Sequence, residues 1–100
     1  MSREFVLAWS FVAVVCAADA SFAWRHRETF ACWEGNALAL ALHAWVGVAG
    51  VLAYKVASVA AVFVWASLQG EGRVRRVLTA VALYLHCLVV ASYALGRVVP

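Results

Sequence analysis

Three long apolar runs, none interrupted by proline, decide what this chain can fold into. Residues 5–24 are broken only by Asp19, residues 37–68 by His43 and Lys55, and residues 77–95 by His86. The only proline is Pro100. Crossing the hydrocarbon core of a bilayer takes about 20 helical residues. Within that core each backbone N–H and C=O needs an internal partner, and a helix supplies one. Strand-like alternation is absent; even residues 37–42 alternate between two apolar types, Ala and Leu. The expected fold class is an all-α membrane protein, with three transmembrane helices in a small up-down bundle. One integral membrane domain covers 1–100, its helices about 5–24, 37–68 and 77–95.

Composition agrees. Of the 100 residues, 67% are hydrophobic and 13% charged, against about half and a quarter in a soluble domain. That polar surface is too small to face water all round, so lipid takes the excess. The net charge of +3 is not gathered into a run, so nothing suggests nucleic-acid binding by counterion release. Arg73, Arg75 and Arg76 are the one local basic cluster and are expected to anchor a helix end at the membrane surface. Cys16, Cys32 and Cys87 are odd in number and form no CxxC, which indicates neither a disulfide framework nor a zinc site. No cofactor or metal is expected.

The connections are short and polar: RHRETFACWEGN over 25–36 and QGEGRVRR over 69–76. Gly70 and Gly72 suit helix stops, and Asn36 suits an N-cap. Trp24, Trp33 and Trp45 are expected at one interface and Trp65 at the other, with Trp9 somewhat deeper, because indoles favour that zone. Trp45 and Trp65 are 20 residues apart, about 30 Å of helix. Residues 37–44 are then surplus to the crossing, to be absorbed as extra turns or as tilt. Arg3, Arg73, Arg75 and Arg76 share one side of the bilayer, and Arg25, Arg27 and Arg97 the other. Four against three favours a cytoplasmic N-terminus. A competing reading takes Arg3, residues 5–15 and Ala18-Asp19-Ala20 as a cleavable secretory signal. The apolar run continues past that site, and Val15 before Cys16 does not suit a lipoprotein site.

Lys55 is a cation near the middle of an apolar stretch. At that depth it calls for a buried partner, a wet cavity or an ion pathway. Asp19 lies five residues from Trp24, about 7–8 Å inside the interface. Lys55 lies about 15 Å inside, and its stem leans toward its own helix N-terminus, the side of Asp19. An interhelical ion pair between Asp19 and Lys55 is the expected tie between the first two helices. A proton or ion relay, or a counter-charge for a substrate, is the functional alternative.

Two histidines admit a haem reading, since imidazoles on neighbouring helices can ligate one iron. His43 falls near the Trp45 interface, however, and His86 mid-helix, so their depths disagree. On a helical wheel His43, Gly47, Gly50, Tyr54, Ala57 and Ala61 share a face suited to close packing in lipid. Thr79, His86 and Tyr93 recur every seven residues and form the polar stripe of the last helix. The two faces are expected to meet, or one meets another subunit. No G-x-S-x-G, H-E-x-x-H or phosphate-binding glycine loop occurs, and Cys87 beside His86 points about 100° away from it. Catalysis is not expected.

Asp19, Glu34-Gly35-Asn36 and Lys55 carry one resemblance. The chain resembles a family of small, functionally uncharacterised prokaryotic membrane proteins. Their pattern is an Asp late in helix one, a Glu-x-Asn-Pro at the start of helix two, and a Lys about 19 residues on. Ala37 stands here where that family has Pro, and the resemblance covers about residues 15–60. It implies a three- or four-helix fold in a prokaryotic inner or plasma membrane, with Asp19, Glu34, Asn36 and Lys55 as one set. By helical rise alone, Glu34 is about 30 Å from Lys55 on a continuous helix. Pairing with Arg25 or Arg27 is the expectation for it, unless the helix breaks. Taken together, the sequence predicts a non-enzymatic accessory or assembly subunit, in contact with other membrane subunits or with copies of itself. An ion or proton pathway through Asp19 and Lys55 is the first alternative, and a haem anchor through His43 and His86 the second.

Overall fold

The computed structural model describes residues 2–34 and 36–95, with Trp33 described for its backbone only. Gly35, Arg97, Pro100 and the Trp33 side chain, all used in the sequence reading, lie outside that description. The described residues are helical, without strands. Helix α1 is Arg3–Arg25; a 3-10 turn Arg27–Thr29 leads into the one-turn α2, Phe30–Trp33; α3 is Ala37–Leu68 and α4 is Arg73–Ala94. Helices α1, α3 and α4 are long and apolar enough to cross a membrane, and they form a three-helix bundle.

Helices α1 and α3 start where the sequence provides a side-chain partner for the free N–H groups. Ser2 caps α1 by accepting from the Phe5 N–H at 3.2 Å, with Glu4 in the first turn and Arg25 in the last, the signs the helix dipole favours. Asn36 caps α3, its Oδ1 accepting from Leu38 N–H at 2.9 Å and Ala39 N–H at 3.4 Å.

The core sits toward the α3–α4 turn. Phe5, Trp9 and Val12 of α1 pack with Ala66 of α3 and Ala82 of α4. Phe63 stacks on Phe5 at 5.9 Å and meets the Trp9 edge at 5.4 Å. The Trp9 indole donates to Thr79 Oγ at 3.1 Å and ties α1 to α4. Away from this core many large apolar side chains face outward. Leu7, Val14, Trp45, Val81 and Tyr84 are all more than half exposed, the surface a bilayer would cover.

One residue departs from the helical reading of 37–68. Gly47 has φ +73° and ψ −179°, a conformation that essentially only glycine adopts. Beyond the break, residues 48–68 are about 31 Å of helix, one full crossing of the hydrocarbon core. Before it, residues 37–46 turn back over the bundle. There Ala39 packs with Phe30 and Val51 in a second apolar cluster. A straight 32-residue helix would be about 48 Å long, yet the molecule's longest extent is 42 Å. The surplus turns noted from the tryptophan spacing are this folded-back cap. The wheel drawn through Gly47 therefore does not hold. Tyr54, Ala57 and Ala61 of the expected packing face are exposed, open to lipid or to another subunit, and Gly50 is half-buried against Val46 across the break.

The basic cluster also differs from expectation. Arg73, Arg75 and Arg76 begin α4 rather than lying in the loop. Arg73 and Arg76 are exposed, but Arg75 is buried. Its Nε donates to Ala66 O at 3.0 Å and Nη2 to Ser67 O at 2.9 Å, so it satisfies carbonyls at the end of α3. Nη1 meets Glu71 at 3.2 Å, and the guanidinium lies 4.3 Å from the Phe5 ring. Arg75→Met should lower stability by about 1.5–3 kcal/mol, the range for hydrogen bonds to a charged group. Arg75→Lys should recover less than half, because an ammonium lacks the planar fork. Thermal unfolding in detergent, followed by circular dichroism, reads both; a Lys variant as stable as the parent would refute the capping role.

Candidate functional site

The break at Gly47 brings Glu34 back to Lys55. Lys55 Nζ, on α3, lies 3.3 Å from Glu34 Oε2 and 3.9 Å from Asp19 Oδ2. Glu34, expected near Arg25 or Arg27, is thus an ion-pair partner of Lys55. The two arginines turn to carbonyls instead: Arg25 Nε to Ser21 O at 3.4 Å and Arg27 Nη1 to Trp24 O at 2.8 Å.

Every carboxylate oxygen in the cluster has a partner. The Asn36 N–H donates to Glu34 Oε1 at 3.0 Å. The Tyr93 hydroxyl of α4 donates to Asp19 Oδ1 at 2.6 Å. The Tyr93 ring is set against Phe22 of α1, edge to face, at 5.1 Å. The cluster therefore fastens α1, the α2–α3 turn, α3 and α4 at one point. Its members differ in burial: the Glu34 side chain is 2% exposed, Asp19 20% and Lys55 23%. Glu34 is the nearer and deeper partner, and Asp19 the looser one. Two carboxylates face one ammonium, which leaves one negative charge in excess.

The four residues of the resemblance, Asp19, Glu34, Asn36 and Lys55, are thus adjacent. Three are charged, and Asn36 links Glu34 to the N-cap of α3. Tyr93 was missed as a member of the site. Its signal in the sequence is the Thr79–His86–Tyr93 stripe, expected to meet the glycine face of the second long helix or another subunit. The stripe instead meets α1, through Trp9 at Thr79 and Asp19 at Tyr93.

The two haem candidates serve other contacts. His43 lies in the cap, its ring 4.9 Å from Phe30. His86 Nδ1 is 2.7 Å from the Ala82 carbonyl of its own helix. Among the described residues no group of three or more His, Cys, Asp and Glu is placed to hold a metal ion. The cysteines Cys16, Cys32 and Cys87 are free thiols. No protein-family model matches this chain, and neither a curated protein nor a solved structure matches it.

Proposed function

We propose that this chain is a non-enzymatic integral membrane protein of three crossings, an accessory or assembly subunit of a prokaryotic inner or plasma membrane. The observation that carries this reading is the Glu34–Lys55–Asp19–Tyr93 network. It joins α1, the α2–α3 turn, α3 and α4 and satisfies its own polar atoms, as a structural clamp does. Around it the long helices present apolar side chains outward, a surface for lipid, other membrane subunits or further copies. The arginine count, four against three, favours the cytoplasmic side for the N-terminus and the α3–α4 turn. The test is purification in mild detergent, with mass spectrometry of what accompanies the chain and a visible spectrum of the same sample. A stoichiometric membrane partner or a defined homo-oligomer is expected, without a Soret band. A monodisperse protein without detergent would overturn the reading.

A second reading has its own observation. The excess negative charge at Asp19 and Glu34 favours an ion or proton pathway, or a counter-charge for a cationic substrate. Cation-dependent flux in proteoliposomes, lost in Lys55→Met or Asp19→Asn, is the result that would favour it over the first.

A further inference from the structure

An apolar groove runs between α1 and α3 and stops beside the charge cluster. Trp9, Ala13 and Ala17 form one wall and Val56, Ala60 and Phe63 the other, enclosing about 560 Å³. No charged side chain lines it; Ser10 and Cys16 are its polar points. It follows α1 from Phe5 to Ala17, about 18 Å of helical rise. At its inner end Cys16 is less than one turn from Asp19, and Val56 is adjacent to Lys55.

We propose that this groove binds a single-chain amphiphile with a cationic head, the tail lying between α1 and α3 and the head meeting Asp19. This deepens the counter-charge reading and rests on the helices spanning a bilayer. Two independent features select the occupant. The first is size. The groove has the volume of a small-molecule site and takes in one hydrocarbon chain. The second is charge. Lys55 is engaged more closely by Glu34, at 3.3 Å, than by Asp19, at 3.9 Å. The surplus negative charge therefore falls on Asp19, which is also the more exposed carboxylate and the one near the groove. An anionic head would meet that surplus with the same sign; an ammonium head would neutralise it.

The probe is dodecylamine carrying a diazirine in its tail, added to the full chain in phosphatidylcholine nanodiscs. Crosslinks are mapped by mass spectrometry, with unlabelled dodecylamine and dodecanoate as competitors. Saturable labelling of the groove walls is expected, displaced about tenfold better by dodecylamine than by dodecanoate, the size of one charge-assisted contact. Asp19→Asn keeps an acceptor for Tyr93 and should abolish that preference while tail labelling persists. Ala13→Phe, which fills the groove, should abolish labelling; Val14→Phe, on the outward face, should leave it intact. Helical circular dichroism and entry into nanodiscs show that each variant folds. Labelling spread evenly over the outward faces overturns the proposal, as does a preference that survives Asp19→Asn. A neighbouring chain crosslinked along the groove would make the occupant a helix and overturn it too. A chain that stays outside the discs overturns the membrane reading itself.

Discussion

Lys55→Met should be among the most damaging single substitutions in this chain, lowering stability in detergent by roughly 3 kcal/mol. The side chain lost is the one cation facing Glu34 and Asp19. Breaking a buried pair costs more than the pair contributes, because a charge remains without its partner. Here two remain, and Glu34 is 2% exposed. Water cannot reach it to compensate, so the cap would have to open. The remedy follows from the geometry. Glu34→Gln in the Lys55→Met background should restore more than half of the loss, while Asp19→Asn should restore less, because Asp19 is further from the ammonium and better exposed. Denaturant titration of the parent, the three single variants and the two double variants gives the two coupling energies directly. Additive losses for Glu34 and Lys55 would refute the clamp.

The sequence carried the bundle and half of this site. Three proline-free apolar runs at 5–24, 37–68 and 77–95 foreshadowed α1, α3 and α4 to within a few residues, because helix length in lipid follows from apolar length. Asn36 as a cap and the approach of Lys55 to Asp19 were readable for the same reason: both depend on local rise and register. What was not readable depended on a single torsion. Gly47 sits in VGVAG, with an apolar pattern continuing on both sides. In such surroundings a glycine is ordinarily a packing residue. Its left-handed conformation is a tertiary consequence of docking Ala39 and Phe30 on Val51, which no local pattern encodes. The one signal was length: 32 residues where one crossing needs about 20. Arg75 was hidden in another way. Three arginines in RVRR look alike in sequence, and only the tight turn through Gly70, at φ +70°, selects the middle one to reach back to Ala66 and Ser67.

The break and the cluster are one device, since neither has its present form without the other. At φ +73° and ψ −179°, a side chain at position 47 is strained by about 1–3 kcal/mol. A Cβ there would meet nothing within 4 Å, so Gly47→Ala tests backbone strain free of any clash. In the variant the strained cap competes with a continuous α3, which alanine favours. Straightening would carry Glu34 roughly 30 Å from Lys55 and expose Phe30, Ala39 and Val51. Gly47→Ala should therefore lower stability by about 1–3 kcal/mol. It should also lengthen the distance between spin labels at Leu38 and Ala57, both exposed positions, in a background with Cys16, Cys32 and Cys87 replaced. A continuous helix puts those backbone sites about 28 Å apart; the folded-back cap holds them closer, and the variant should populate the longer distance. Non-additivity gives a second reading of the same link. Once the cap has straightened, Glu34 no longer faces Lys55, so Lys55→Met should cost distinctly less in the Gly47→Ala background than in the parent. An unchanged distance distribution together with fully additive losses would mean that Gly47 merely tolerates the bend, and that the cap is held without regard to it.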